Sequence, residues 1–245
     1  MKIFFVIAVF ISLATESLFT AAQDTMSRGS QGMATAAAVL QARRTFIFLD
    51  FTENTWVHRP EDVNTRFVSG GFNANLMYEI FIVKNVFTFA PGISYSNVTV
   101  KNNADVVYVP DQGNDRGYTQ LMPIPEGRDY RVSKISTSYF DIPLEFHIRI
   151  KPEMRGRNLW LAPGFRAGWM IGNFWKYDGD GAGGYNVKYK VYRIENLENF
   201  HYGVSVRAGY YKFGLYAYYS LTDLFEQDKG TELRPFSVGL TLTPF

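Results

Sequence analysis

The chain of 245 residues contains no cysteine and only three histidines. The lack of cysteine excludes disulfides, thiolate metal sites, a cysteine nucleophile and the lipidated cysteine of a lipoprotein anchor. The formal net charge is only +2 and the basic residues are scattered, so nucleic acid is not predicted as a partner. After the N-terminal segment, no stretch is apolar for the roughly 20 residues that a membrane-spanning helix needs. Any membrane anchoring must therefore come from the fold.

The N-terminus has the pattern of a secretory signal peptide. A lysine precedes an apolar run at positions 3–14, and small residues at 20–22 offer a cleavage site. We therefore predict that residues 1–22 are the signal peptide. Residues 23–44 are rich in Ser, Gly and Ala, and we interpret them as a periplasmic lead-in or short helix. The mature protein is then either soluble and exported or a membrane barrel.

From Thr45 onward the hydrophobic pattern has a period of two, which indicates strands with two unlike faces. Eight such stretches can be placed, near 45–51, 68–83, 87–97, 133–150, 158–172, 201–210, 213–222 and 234–245. Long and short connections alternate between them, as the two rims of an outer-membrane barrel require. The pattern predicts an all-β fold over residues 45–245: an eight-stranded antiparallel transmembrane up-and-down β-barrel with short periplasmic turns and long extracellular loops.

Two orientations of the strands fit this alternation. In the fourth stretch Phe140 and Leu144 share one face, while Asp141 and Glu145 share the other. The apolar face could point inward, as in a soluble periplasmic ligand-binding barrel, or outward against lipid. Gly and Ser fill most other positions of the charged face, which suits the crowded interior of an eight-stranded barrel. We therefore predict that the apolar face meets lipid.

Charged side chains inside a narrow barrel are costly unless they pair. We therefore predict a hydrogen-bonded ion-pair network in the lumen. Its predicted members are Glu79, Asp141, Glu145, Arg149, Arg166 and Arg207. A gated ion path is the functional alternative, but an interior of eight strands is only wide enough for side chains.

Three prolines lie inside predicted strands, at positions 91, 143 and 163. Proline cannot donate a hydrogen bond to the sheet, so we expect a local bulge at each position. Two of them belong to a repeated Ala-Pro-Gly sequence, at 90–92 and 162–164. The repetition suggests that the two strands share a local geometry.

Several segments together resemble a known family. They are the Ala-Ala-Gln that ends the signal, the two Ala-Pro-Gly strands, YFDIPLE at 139–145, YYSLTDL at 218–224 and PFSVGL at 235–240. In these features the chain resembles the PorT-like outer-membrane β-barrel family of Bacteroidota. The resemblance covers most of the mature chain and implies an eight-stranded barrel in the outer membrane. One namesake branch takes part in type IX protein secretion, which leaves a link to secretion open.

The first functional hypothesis is a non-enzymatic barrel with a structural or partner-binding role in the cell envelope. Its expected partners are outer-membrane lipid, the barrel insertion machinery and an envelope or secretion protein bound through the extracellular loops. The loops at 98–132 and 173–200 are the longest, and the second carries four tyrosines, Tyr177, Tyr185, Tyr189 and Tyr192. These tyrosines could form a binding surface, or they could simply lie near the membrane interface.

The second hypothesis is a lipid-modifying barrel enzyme. His58 and His201 are predicted near the outer rim. In sequence, His58 is close to Asp62, and His201 is close to Glu198 and Ser205. A histidine with an orienting acid could act as a general base. No nucleophile motif, paired metal ligands or phosphate-binding glycine loop accompanies them. The sequence therefore predicts no catalytic, cofactor-binding or metal-binding residue.

Overall fold

The computed structural model describes residues 44–83, 86–111, 117–150, 159–181 and 184–243, in which all helical or extended structure is β-strand. Residues 47–244 form one compact unit, and of the other unit only residues 44–46 are described. The described ranges contain no helix long and apolar enough to cross a membrane. The predicted signal peptide, nearly all of the lead-in and the turns at 84–85 and 151–157 lie outside the described residues.

Eight strands close into a ring. The strands are β1 (Thr45–Val57), β2 (Gly70–Tyr78), β3 (Ile80–Val83), β4 (Phe87–Asn102), β5 (Ala104–Val109), β6 (Tyr118–Pro123), β7 (Tyr130–Ile150), β8 (Leu159–Asp180), β9 (Asn186–Tyr192), β10 (Phe200–Tyr210), β11 (Phe213–Ser220) and β12 (Arg234–Leu242). The ring order is β1, β2, β4, β7, β8, β10, β11, β12, and β12 pairs with β1 again. Strand β3 continues β2 after Glu79 and pairs with β4. The predicted eight-stranded antiparallel barrel is confirmed.

The outer surface of the ring is an exposed apolar band. Leu215 is 65% exposed and Leu240 63% exposed, whereas Arg207 on the neighbouring strand β10 is fully buried. The alternation predicted for the strands is therefore present with the apolar side outward. A continuous exposed band of this kind is stable only against lipid, because exposing such a large apolar surface to water is unfavourable.

Two strands are much longer than the membrane requires. Strand β7 has 21 residues and β8 has 22, whereas a tilted strand crosses the hydrocarbon layer in about 9–11 residues. The exposed apolar positions of β8 end at Ile171, so the rest of the strand, as far as Asp180, projects beyond the membrane. The segments predicted as loops at 98–132 and 173–200 are therefore partly strand. The prediction missed this because strand ends without a lipid-facing stripe lose their hydrophobic signature.

The outer connections form a compact cap, made of the hairpin β5–β6, strand β9 and the connections at 58–69, 193–199 and 221–233. The four outer connections, which join β1 to β2, β4 to β7, β8 to β10 and β11 to β12, form one hydrophobic core together with the projecting strand ends. The core residues are Trp56, Val63, Val100, Ala104, Leu121, Ile135, Trp175, Tyr177, Ile194, Leu197, Leu224, Phe225 and Leu233. Tyr177 is thus a core residue, 1% exposed, and not part of the predicted tyrosine surface.

Backbone and side-chain hydrogen bonds join the connections to one another at Thr119 of β6. Its N–H donates to Lys229 O (2.8 Å) and its hydroxyl donates to Glu195 O (3.0 Å). The Asn196 amide also donates to Gly117 O at 2.6 Å. The cap is therefore held together by contacts between segments that are far apart in the sequence.

The bulges expected at the three prolines are absent from the described strands. The pairing register runs without a shift past Pro91, Pro143 and Pro163. The shifts lie elsewhere, between Phe81 and Val83 and at two places in β7. The prediction was wrong because each strand N–H points to only one neighbour. A proline therefore removes a single hydrogen bond and does not require an inserted residue.

Candidate functional site

The inward side chains of the barrel form a charged cluster across its lumen. Period-two alternation places them on the inner face, and glycines on the same face leave room for them. Gly168 pairs directly with Asp141 on β7. A side chain at Gly168 would overlap the Asp141 carboxylate, so this charge fits only because its neighbour is glycine.

Arg207 lies at the centre of the cluster. Its guanidinium donates to Asp50 from Nε (3.2 Å) and Nη2 (2.7 Å) and to Glu145 from Nη1. The flat guanidinium lies between the rings of Tyr216 and Phe48, 4.7 and 5.3 Å from their centroids. Arg207 thus joins carboxylates of β1 and β7, two strands that do not pair with each other, and all three charged groups are buried.

Asp50 is the main acceptor of this layer. Besides the two bonds from Arg207, it accepts hydrogen bonds from Thr241 (2.7 Å), Asn75 (2.9 Å) and Asn73 (3.3 Å). A buried carboxylate with five donors is well compensated for its lost hydration. Strands β1, β2, β10 and β12 meet at this one side chain.

A second group lies on the outer side of this layer, around Asp141. The carboxylate accepts hydrogen bonds from Ser96 (2.5 Å) and Arg166 (3.3 Å) and contacts His201 Nε2 at 2.7 Å. Arg166 also donates to Asn75 Oδ1 at 2.8 Å, which connects this group to Asp50. The other ring nitrogen of His201 lies 3.0 Å from the Tyr218 hydroxyl.

A third group lies toward the rim of the short turns. His147 contacts Glu79 through Nδ1 (3.1 Å) and Glu145 through Nε2 (3.2 Å). Arg149 donates to the same oxygen of Glu79. Both ring nitrogens of His147 therefore face carboxylate oxygens, and the histidine links Glu79 to Glu145.

The three groups form one hydrogen-bonded chain along the barrel. It contains four carboxylic acids, three arginines and two histidines, which are Asp50, Glu79, Asp141, Glu145, Arg149, Arg166, Arg207, His147 and His201. With all acids ionised and the histidines left aside, 3 − 4 gives a net charge of −1. The chain therefore fills the lumen with charges that nearly balance each other.

A small cavity remains at the outer end of the lumen, under the cap. Its lining includes His201, Tyr218, Ser220, Trp56 and Leu224, and its volume is about 20 Å³. A space of this size holds about one water molecule. In the described structure an acyl chain or a sugar therefore has no room beside His201.

The closed barrel, its apolar exterior and its polar lumen agree with the family model that matches this chain. The model of the family described as outer membrane protein beta-barrel domain matches residues 45–226. The chain belongs to this family. This outer-membrane barrel is also similar to two solved structures, one of which is Ail, the attachment invasion locus protein of Yersinia pestis, in complex with the heparin analogue sucrose octasulfate.

The similarity to Ail has 13% identity and a TM-score of 0.31, and covers 81% of this chain and 97% of that chain. The other solved structure is the outer membrane protease OmpT from Escherichia coli. That similarity has 16% identity and a TM-score of 0.36, and covers 78% of this chain and 67% of that chain. No curated protein matches the chain.

Within this outer-membrane barrel, the six residues predicted for the lumen all lie on the inner face and make the contacts described above. Asp50, His147 and His201 complete the chain but were not among the predicted members. Asp50 could have been found from the sequence, because it alternates with Thr52 and Asn54 in β1. The pairing of each acid with its base could not, since it depends on the register of strands distant in sequence.

For the enzyme hypothesis, the structure pairs His201 with a different acid from the one that is close to it in sequence. The acid beside His201 is Asp141 and not Glu198, whose carboxylate instead accepts a hydrogen bond from the Phe200 N–H at 3.2 Å. His58 is exposed at the end of β1, with a φ of 56°. Proximity in sequence was misleading here, because Glu198 precedes β10, whereas the carboxylate of Asp141 reaches His201 from β7.

Asp105, Asp178 and Tyr189 are three groups of the cap with shifted pKa values. Burial raises the pKa of Asp105, although Arg128 lies 3.5 Å away and opposes the shift. The hydrogen bond from Arg131 (2.5 Å) lowers the pKa of Asp178. Burial, with Asp105 nearby, raises the pKa of Tyr189 to about 12. At neutral pH the partly buried Asp105 is therefore the one of these groups that works against cap stability.

Proposed function

We propose that this protein is a non-enzymatic, non-conducting outer-membrane barrel that supports a rigid cap, and that the cap binds a partner at the cell surface. The observation that carries this proposal is the filled lumen. Arg207, Asp50 and Glu145 bridge the barrel at its centre and all three are fully buried. An ion would have to break this layer in order to pass.

The cap supports the second half of the proposal. A binding surface loses less entropy when it is already ordered before the partner arrives. The cap has its own hydrophobic core, and it exposes tyrosines on β5–β6 and near β9. These are Tyr108, Tyr118, Tyr185 and Tyr192, which are 44%, 40%, 75% and 64% exposed. Tyrosine provides a large contact area with few rotatable bonds.

The finer assignments are proposals from the sequence. The motifs at 139–145 and 218–224 favour the PorT-like branch of Bacteroidota, and an envelope or secretion protein is the class of partner that this branch suggests. Residues 1–22 would direct export and be cleaved, residues 23–44 would lie in the periplasm, and the insertion machinery would assemble residues 45–245.

Conductance measurements test the closed lumen. Full-length protein purified from outer membranes is added to planar lipid bilayers, and its closed state is verified by the shift of its gel band on boiling. We expect no discrete channel openings. The double variant Arg207→Ala/Arg166→Ala, which removes the two side chains that bridge the lumen, is the matched comparison. Channels in the unaltered protein would refute the non-conducting function.

Mass spectrometry of lipid A tests the absence of catalysis. Lipid A is extracted from cells that express the protein or its His201→Asn variant, and from cells without either. We expect three identical acylation patterns, because the cavity beside His201 has room for one water only. A change that appears with the unaltered protein and disappears with His201→Asn would show the lipid-modifying enzyme instead.

A further inference from the structure

Four lysines lie in one row across four neighbouring strands. Lys101 of β4 pairs directly with Lys134 of β7, Lys134 with Lys176 of β8, and Lys176 with Lys190 of β9. Directly opposed residues of antiparallel strands point to the same side, with Cβ atoms about 4.5–5.5 Å apart. We call these four residues the lysine row.

The lysine row faces outward. The adjacent positions of the same strands, Val100, Ile135 and Trp175, belong to the hydrophobic core of the cap. Because successive side chains of a strand alternate between faces, the lysines lie on the outer wall. Lys190 Nζ lies 3.7 Å from the centroid of the Phe174 ring, so an aromatic side chain borders the row.

The positive charges of the row have no close carboxylate partner within the described residues. No carboxylate oxygen there lies within 4.0 Å of any of the four ammonium groups, and Asp178, which is paired with Arg131 and Lys188, interacts with Lys176 only at longer range. Partial burial lowers the pKa of Lys134, and repulsion from Lys176, Lys101 and Lys190 lowers it further. Like charges in directly opposed positions are destabilising, so the row is a surface suited to an anion.

The height of the row indicates where that anion would come from. Exposed aromatic side chains of three neighbouring strands, Tyr95, Phe140 and Trp169, lie in one row across the barrel wall. Lys101 is six residues beyond Tyr95 on the same strand, which corresponds to about 15 Å above this aromatic row for a strand tilted by about 40°. Between them the outer wall is polar, and Asn97 donates to Ser138 at 3.0 Å. This level lies above the acyl chains, at the sugar headgroups of the outer leaflet.

We propose that the lysine row binds the phosphate groups carried by the sugar headgroup of the outer-leaflet glycolipid. Four ammonium groups on one wall match several phosphates of a single headgroup or of two neighbouring ones. The bordering Phe174 and Tyr192 rings, which also lie 3.7 and 4.4 Å from Lys190 Nζ, can pack against a sugar ring. The bound lipid thereby relieves the repulsion within the row.

A titration tests this proposal. Full-length protein in a neutral detergent is titrated with fluorescent lipopolysaccharide that carries two phosphates, and with the same lipid after removal of its phosphates. We expect binding of the phosphorylated lipid only, weakened by salt. In Lys134→Gln/Lys176→Gln the affinity should fall about tenfold or more, because each lysine near an anionic lipid surface contributes to binding.

Two control variants define the outcome. Lys134→Arg/Lys176→Arg should keep the affinity because it keeps the charge. Lys212→Gln/Lys229→Gln removes two charges from a short turn and from the cap, and should also keep it. Equal binding of the dephosphorylated lipid, or full binding by Lys134→Gln/Lys176→Gln, would overturn the proposal. Displacement of the lipid by an equal concentration of inorganic phosphate would overturn it as well, since the site would then recognise free phosphate.

Discussion

Arg207 and Asp50 face each other across the lumen although they lie 157 positions apart in the sequence, and the guanidinium binds both carboxylate oxygens in a bidentate pair. The pair joins β10 to β1, which lie on different sides of the β11–β12 hairpin in the ring. It therefore fixes the distance between strands that do not pair with each other. The same guanidinium reaches Glu145 of β7, so three separate parts of the ring depend on one side chain.

Removing this guanidinium should strongly destabilise the barrel. Arg207→Met leaves Asp50 and Glu145 buried without their cation, and we expect the free energy of unfolding to fall by about 3–5 kcal/mol, as for other broken buried ion pairs. Urea unfolding in lipid vesicles, followed by the loss of the compact gel band, measures this change.

A rescue variant separates lost charge balance from lost packing. Arg207→Met/Asp50→Asn/Glu145→Gln removes all three charges and should recover a large part of the loss, because no uncompensated charge remains. If the triple variant is as unstable as Arg207→Met, the packing of Arg207 between Tyr216 and Phe48 matters more than its charge.

The cap should open without unfolding the barrel when its core is weakened. Leu121 of β6 is 6% exposed in the core shared by the outer connections, and Leu121→Ala should cost about 2–5 kcal/mol. We expect faster cleavage of the cap by protease added to intact cells, with the barrel band unchanged. The neighbouring Tyr118→Ala, at a position that is 40% exposed, serves as control. Similar cleavage rates for the two variants would contradict a common cap core.

The stability of the cap should depend on pH through Asp105. Burial raises the pKa of this carboxyl, so the folded cap binds the proton more tightly than the unfolded chain does. Its contribution to stability is present in acid and is lost as the pH rises through the raised pKa. Asp105→Asn should therefore increase the melting temperature of the cap at neutral pH, and the gain should vanish below the ordinary pKa of aspartate.

Thermal melts followed by tryptophan fluorescence measure this effect, because Trp56 and Trp175 lie in the cap core. The control is Asp62→Asn, at an exposed position of the same cap, which should change the melting temperature little at any pH. A gain for Asp105→Asn that is the same at all pH values would show that the ionisation of Asp105 is not its source.

Removing one central charge of the lysine row should stabilise the protein when no anionic lipid is bound. Lys134 has lysines directly opposite on both sides, and Lys134→Gln removes both repulsive pairs. We expect a gain of about 0.2–1 kcal/mol for each pair, smaller at high salt. Differential scanning calorimetry in neutral detergent, with Lys188→Gln as control beside its partner Asp178, checks this. Lower stability of Lys134→Gln would mean that the row does not repel itself.

Most of the membrane part of this protein could be predicted from its sequence, because lipid outside and a crowded interior inside impose opposite requirements on alternate residues. Phe140 and Asp141 illustrate this, since their chemistry alone assigns them to opposite faces. Above the membrane that rule no longer applies. The projecting ends of β4 and β8, the hairpin β5–β6 and strand β9 lie in segments that the pattern predicted as loops.

By itself, the sequence determined the strand number, the outward apolar face and the inward position of Glu79, Asp141, Glu145, Arg149, Arg166 and Arg207, because each follows from the local period of two. Only the tertiary structure decided that Arg207 meets Asp50, that His201 meets Asp141, that four lysines align, and that the outer connections share one core. These relationships depend on strand register and ring closure, which bring together residues that are far apart in the sequence. Such contacts cannot be predicted from the local sequence pattern.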